Sequence, residues 1–211
     1  VKFWMVIVGL TGLVIVDFWG VNRRYIAPDD FQMSKSEIRD NYYAEREIDR
    51  TIKSLEDSRG DYRVLDLSIN TFNTNKTTYH HNTIGGYTAV KLQRIQDMID
   101  VHLPSMNRDV LNMWNTTYII TQDEQLIQND QALGWAWFVN DWVFVESNRD
   151  EINSVAEIDP ATTAVVKKDE FGTYFDGLAP IMEDGANEQS SLYKIERVDY
   201  QLDYWKYEYE V

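Results

Sequence analysis

The sequence has no cysteine and only three histidines among its 211 residues. The lack of cysteine excludes disulfide bonds, thiolate metal ligands and cysteine nucleophiles. No two histidines have the spacing that places zinc ligands on one face of a helix, and no Gly-x-Ser-x-Gly elbow of a hydrolase is present. We therefore expect no metal site, and nothing in the composition requires a cofactor.

Basic residues are scarce in the second half of the chain. The net charge is −15: residues 1–119 contain 15 acids and 14 bases, whereas residues 120–211 contain 20 acids and 6 bases. Nucleic acid is not expected as a partner, because phosphate binding needs a basic surface. An anionic membrane surface repels the acidic half, which we expect to face away from lipid.

A long uncharged run occurs at the N-terminus. Residues 3–16 carry no charge, and Asp17 follows them. A spanning helix needs about 20 apolar residues. Trp19 can extend the run as an interfacial anchor, and the arginines behind it can snorkel. We predict a transmembrane helix over residues 1–24, truncated at its N-terminus, and a soluble domain over residues 25–211, incomplete at its C-terminus.

Other interpretations of this run stay open. A signal peptide has an apolar middle of this length, but the run ends in Asp17-Phe-Trp-Gly20, which is not a small-residue cleavage site. A buried strand or core helix of a soluble domain is a second alternative. The pair Gly9 and Gly12 is typical of a packing face in a membrane bundle, or of a bend.

The remaining sequence predicts a domain of the α/β or α+β class, with helices packed on a mixed sheet. Ser34-Lys-Ser-Glu37 is a capping box, and apolar residues at helical spacing predict one amphipathic helix from there to Gly60. Further helices are predicted from about 92 to 104, around 110–114 and after 148. Strands are predicted at 62–68, 117–121, 135–138, 142–145 and 163–166, with two more between 193 and 211.

The candidate binding site is a polar loop that ends in two glycines. Gly85 and Gly86 are expected to precede a helix directly, where free amides attract an anion. Lys91 and Arg94 would then lie one and two turns into that helix, beside an incoming phosphate. The alternative is a tight loop-to-helix turn with Tyr87 packed beneath it.

Two further groups of residues are candidates for chemistry. His80 and His81 are adjacent, so they point to opposite sides of an extended segment and form a poor metal pair. One of them can bind a hydroxyl or act as an acid or base, but loop histidines without such a role are common. Trp135, Trp137 and Trp142 predict either a sugar-stacking platform or core packing.

Several ordered blocks resemble the YfhO-like family of large bacterial multi-pass membrane proteins. The most recognisable block is Thr78-Tyr-His-His-Asn-Thr-Ile-Gly-Gly-Tyr87 with Lys91-Leu92. The others are residues 17–26, 62–67, 70–73, 110–120 and 132–139. Thr88 stands where the family more often has histidine, so a role that depends on that histidine is not carried over.

The resemblance implies a location and a role. Such proteins have many transmembrane helices followed by an extracytoplasmic domain, and they are similar to C-type glycosyltransferases that take sugar from a polyprenyl-phosphate donor. Their catalytic acid lies in an early external loop, so no catalytic residue is expected in this chain, Asp17 included. The implied partners are the membrane, a polyprenyl-phosphate sugar or a cell-envelope glycopolymer, and the rest of the parent protein.

The resulting expectation is an extracytoplasmic accessory domain of a bacterial membrane glycosyltransferase. Its expected substrate-binding residues are His81, Gly85, Gly86, Tyr87, Lys91 and Arg94. The alternative is a non-enzymatic carbohydrate-binding or envelope-scaffold module that uses exposed tryptophans. A third class, a secreted hydrolase, requires a cleft that joins His80 or His81 to a carboxylate.

Overall fold

A computed structural model describes residues 2–25, 34–56, 60–175, 177, 194–201 and 204–210. The chain divides into two compact units, Val1–Glu45 and Arg46–Val211. The helices are α1 Phe3–Tyr25, α2 Lys35–Glu37, α3 Glu47–Leu55, α4 Lys76–His80, α5 Gln93–His102, α6 Arg108–Met113, α7 Asn148–Ser154 and α8 Lys168–Phe171. The strands are β1 Arg63–Asp66, β2 Thr116–Ile120, β3 Leu126–Gln128, β4 Asp141–Val145, β5 Thr163–Lys167, β6 Lys194–Gln201 and β7 Tyr204–Glu210. A long apolar helix followed by helices and a mixed sheet confirms the predicted α+β class.

Helix α1 is long and apolar enough to cross a membrane. It has 23 residues and a mean hydropathy of 2.0, and at 1.5 Å per residue it is about 34 Å long, more than a hydrocarbon core of about 30 Å. The helix continues past Asp17 to Tyr25 and is therefore longer than the uncharged run alone. None of its residues is buried among the described residues, unlike those of a typical core helix. These properties support membrane anchoring.

The single amphipathic helix predicted from Ser34 to Gly60 is wrong. The capping box is confirmed, because the Glu37 amide donates to Ser34 Oγ at 3.2 Å and the Ser34 amide donates to the Glu37 carboxylate at 2.7 Å. However, α2 passes into a π-helical turn, Ile38–Tyr42, and no helix continues to residue 46. A separate helix, α3, begins at Glu47, where the Asp49 carboxylate accepts from the amide of Arg46 at 2.9 Å.

A three-stranded sheet forms the first part of the domain core. Its strand order is β1-β2-β3, with β1 and β2 parallel and β3 antiparallel to β2. Strand β1 buries its last three residues, Val64 to Asp66, and β2 alternates so that Tyr118 and Ile120 are buried. These two residues pack with Val64, Tyr62 and Ile52, the last from α3. Burial of this cluster holds α3 against the sheet.

A second core lies around the parallel pair β4 and β5. Helix α7 connects these strands and is capped by Ser147, whose Oγ accepts from the Asp150 amide at 3.2 Å. Val155 packs there with Met98 and Val110 from α5 and α6. Strands β6 and β7 form an antiparallel hairpin, which confirms the two strands predicted between 193 and 211.

Most of the other predicted helices and strands are confirmed, and one predicted strand is wrong. Helices α5, α6 and α7 and strands β1, β2, β4 and β5 are confirmed within a few residues. The strand predicted at 135–138 is wrong, since this segment has no regular structure. Strand β3 and helices α4 and α8 were not predicted, and α4 places His80 at the end of a helix instead of in the expected extended segment. The segment 135–138 is instead fixed by tertiary contacts, including a hydrogen bond from Trp137 Nε1 to the Pro160 carbonyl at 2.7 Å.

Candidate functional site

The two glycines of the candidate site contact their own chain. A Cβ on Gly85 would lie 2.4 Å from the carbonyl oxygen of Thr71. Gly86 has a φ of +103°, and its amide donates to the same Thr71 carbonyl at 2.7 Å. Backbone in this region favours glycine because a side chain is strained there. Both glycines are therefore explained by closure of the loop onto residue 71.

Lys91 lies outside the helix that was expected to contain it. Helix α5 begins at Gln93, so the glycines do not stand at a helix N-terminus, and only Arg94 lies in the first turn. The Lys91 ammonium lies 5.0 Å from the centre of the Phe72 ring, within cation–π distance. Tyr87 does not pack beneath the turn, since its side chain is 60% exposed. The predicted start of the helix is too early, because residues 87–92, which follow the glycines, are not helical.

His81 lies in the interior of the domain and is not exposed in the candidate loop. Its side chain is fully buried. Its Nδ1 shares a hydrogen bond of 2.9 Å with the Tyr62 hydroxyl. Its Nε2 lies 3.3 Å from Asp49 Oδ1, which is an ion-pair distance, but the contact does not meet hydrogen-bond geometry. The histidine–carboxylate pair required of a hydrolase exists, but it faces the core instead of a cleft.

A buried ionic network surrounds Asp49. Arg46 Nη2 lies 2.9 Å from Asp49 Oδ1 and 2.7 Å from Asp66 Oδ2, and both carboxylates are about 1% exposed. Asp66 also accepts from the hydroxyls of Thr77 and Ser68 at 2.6 and 2.7 Å. The network joins α3, the end of β1 and α4. Each carboxylate accepts several donors, which offsets the cost of burying its charge.

The electrostatics of this network keep its acids ionised. Burial alone would raise the pKa of Asp49, but its contacts with His81 and Arg46 hold that pKa well below its ordinary value. For Asp66 burial is likewise outweighed by hydrogen bonds from Ser68, Thr77 and Arg46, so its pKa is lowered. The pKa of Arg46 is raised, because the two carboxylates overcome the effect of its burial.

Sequence reasoning missed this network. Arg46, Asp49 and Asp66 were not among the predicted site residues. One signal was present: an acid three residues after Arg46 is the pattern that caps a helix start. Asp49 contacts His81 directly and is linked to Asp66 through Arg46. Both links depend on the packing of α3 on β1, which a local sequence pattern does not show. Because both carboxylates accept hydrogen bonds from several donors of their own chain, we assign the network to the fold.

Arg94 lines a ligand-sized cavity. The cavity has a volume of about 480 Å³ and is enclosed mostly by apolar side chains, among them Met98, Trp114, Trp137 and Val155. Arg94 Nη2 lies 3.2 Å from Glu151 Oε2 and 3.8 Å from Glu170 Oε2. Glu151 Oε2 is buried and accepts no hydrogen bond within the described part of the chain. The cavity thus has a mostly apolar wall, and the ion pair of Arg94 and Glu151 forms its polar part.

The tryptophans between residues 114 and 142 do not form an exposed row. Trp114, Trp135, Trp137 and Trp142 are each half-buried. The Arg63 guanidinium lies 4.4 Å from the centre of the Trp135 ring, and Trp137 is fixed by its bond to residue 160. The open sheet face of stacked rings that a lectin-like module requires is not formed by these four residues.

Comparisons with known proteins found no family model, no curated protein and no solved structure that matches this chain. The structure brings Arg94 to a cavity and places Gly85, Gly86, Tyr87 and Lys91 together in one loop. The His81 side chain is instead buried against Tyr62 and Asp49. The substrate-binding role of these residues stays a prediction.

Proposed function

We propose that this chain is a membrane-anchored extracytoplasmic binding domain that holds a polyprenyl-phosphate sugar, or the envelope glycopolymer that receives the sugar, for a bacterial membrane glycosyltransferase. The observation that carries the proposal is the position of Arg94 on the wall of the 480 Å³ cavity. The sugar-transfer reaction and the extracytoplasmic side come from the resemblance of the sequence blocks to YfhO-like proteins.

The chemistry of the cavity supports this class of ligand. Ligand sites are mostly apolar hollows of about 300–1,000 Å³ with a few well-placed polar groups. A guanidinium has five N–H donors, and the half-exposed Arg94 has some beyond those that face Glu151 and Glu170. Its remaining donors suit a phosphate, since a guanidinium matches the geometry of phosphate oxygens.

The proposal assigns no transfer chemistry to this domain. Transfer to a hydroxyl acceptor needs a base that can reach the reacting oxygen. The histidine–carboxylate pair of His81 and Asp49 faces the core. We therefore expect the purified chain to bind the ligand without turning it over, while the reaction takes place elsewhere in the parent protein.

The test measures binding of a short-chain, water-soluble prenyl phosphate sugar to the full chain in detergent micelles by saturation-transfer NMR. We expect saturable binding that Arg94→Ala weakens about tenfold, the equivalent of one charge-assisted hydrogen bond of about 1.5 kcal/mol. Ala164→Trp fills the cavity and should abolish binding.

The matched control is Arg149→Ala, which removes an exposed arginine of α7 that does not line the cavity. It should bind as the unmodified chain does. Equal binding by Arg94→Ala and Arg149→Ala would contradict the proposal. The prenyl phosphate without sugar and the free sugar are measured in parallel, and they show which part of the ligand the cavity recognises.

A further inference from the structure

We propose that the loop Tyr87–Leu92 is a membrane-contact surface through which the domain rests on the lipid headgroup region. The proposal rests on the loop and on the membrane-length helix α1, and it is independent of the ligand proposed for the cavity. Three observations carry it: the outward direction of the apolar side chains, the local charge and the way the loop is held.

The loop presents apolar side chains to the outside of the domain. Val90 is 87% exposed, Leu92 is 74% exposed and Tyr87 is 60% exposed. Single exposed apolar residues are common, but three within six residues form a patch that needs a partner. Aliphatic tips flanked by a tyrosine and a lysine are typical of segments that lie in a membrane interface, where the lysine can snorkel.

The stretch of chain that contains the loop carries no acid, unlike most of the sequence. Residues 67–96 contain Lys76, Lys91 and Arg94 and no acid, although the chain as a whole has a net charge of −15. Arg94 is paired with Glu151 and Glu170, so Lys91, which lies within the loop itself, supplies the positive charge of the loop. Basic residues near the surface of an anionic leaflet are attracted to it, whereas acids are repelled.

The loop is held in shape by its own chain. The Tyr87 amide donates to Asn75 Oδ1 at 2.8 Å, and Thr88 Oγ1 donates to the Val90 carbonyl at 3.0 Å. With the Gly86 amide bound to residue 71, these bonds keep the apolar side chains pointing outward. The chain also carries α1, so a bilayer is within reach of the domain.

The absence of cysteine allows a direct test with the full chain. Val90→Cys is labelled with an environment-sensitive fluorophore, and the protein is reconstituted into phosphatidylcholine vesicles that contain phosphatidylglycerol. The control is Ile127→Cys, an exposed apolar position on β3 that lies outside the acid-free segment. We expect nitroxide-labelled lipids to quench the residue 90 probe several-fold more strongly than the residue 127 probe.

A second labelled position and a disruptive change make the result decisive. Leu92→Cys should be quenched like Val90→Cys, and Leu92→Asp combined with Val90→Cys should reduce quenching to the level of the residue 127 probe. Equal lipid quenching at positions 90, 92 and 127 would overturn the proposal. A fluorophore at residue 90 that is protected from quenching by aqueous iodide, yet is not quenched by nitroxide-labelled lipid, would show that the loop faces protein. That result would also overturn the proposal.

Discussion

Arg46 and Arg94 each lie between two carboxylates, yet their surroundings differ. Arg46 meets Asp49 and Asp66 at 2.9 and 2.7 Å, and both acids are buried. Arg94 meets Glu151 and Glu170 at 3.2 and 3.8 Å, and its own side chain is 52% exposed. The first arginine is part of the domain's internal structure, whereas the second lies at the edge of a cavity with donors that remain available to a ligand.

The physical reason for the difference is desolvation. A charge inside the protein loses its hydration, so removing its partner leaves an uncompensated charge and costs several kcal/mol. A half-exposed charge keeps part of its hydration, and its ion pairs contribute about 0–1 kcal/mol. Stability and binding therefore depend on different arginines, and the following changes test that separation.

The largest effect is expected from Asp66→Asn. The carboxylate accepts from Arg46, Ser68 and Thr77, so an amide NH₂ in its place would face a donor and leave Arg46 poorly compensated. We expect the free energy of unfolding to fall by about 3–5 kcal/mol, measured by denaturant titration in detergent micelles. The control Asp169→Asn changes an exposed acid paired with Lys167 and should cost less than about 0.5 kcal/mol. A similar loss in both variants would remove the distinction between buried and exposed pairs.

An intermediate effect is expected from acid. The pKa values of Asp49 and Asp66 are lower in the folded protein than their ordinary value of 3.8. A lowered pKa stabilises the fold above the ordinary value, and this stabilisation is lost as the pH falls through the folded value, because the unfolded chain binds more protons. We expect the free energy of unfolding to decrease as the pH is lowered below about 4.

The comparison variant for this pH titration is Asp66→Asn, which has one fewer carboxylate with a lowered pKa. Its free energy of unfolding should depend less on pH below that point than that of the unmodified chain. Parallel curves for the two proteins would show that Asp66 does not contribute to acid sensitivity.

The smallest effect on stability is expected from Arg94→Ala. Its ion pairs are half-exposed and lie at 3.2 and 3.8 Å, so the free energy of unfolding should change by less than about 1 kcal/mol. Denaturant titration measures this change beside the binding experiment on the same protein. A loss as large as that of Asp66→Asn would make Arg94 a structural residue and would weaken the binding proposal.

The elements that the sequence predicted are those whose signals are local. Helix α1 is visible as an apolar run, and the capping box at Ser34 as a four-residue pattern. The break between α2 and α3 was missed, because apolar residues keep helical spacing across it. The segment at Trp135 was misassigned for a related reason: aromatic residues favour strands, but here the contact with Arg63 and the Trp137 bond decide its path.

The candidate site was predicted only in part. The loop that contains Gly85, Gly86 and Lys91 was recognised, and Arg94 was selected as a ligand contact. The cavity beside Arg94 was not foreseen, since its walls come from helices α5, α6 and α7, strand β5 and the segment before β4. The burial of His81 was also not foreseen, because its partners Tyr62 and Asp49 are distant in sequence.

The sequence by itself determined the membrane-length helix, the acidic second half and the order of most helices and strands, because hydropathy, charge and capping act over a few neighbouring residues. Tertiary structure decided which charged groups serve the fold and which line a cavity. That choice depends on desolvation, and desolvation is set by side chains that meet only after the chain has folded. The same division assigns Arg46 to the interior and Arg94 to the cavity wall, although both are arginines near two acids.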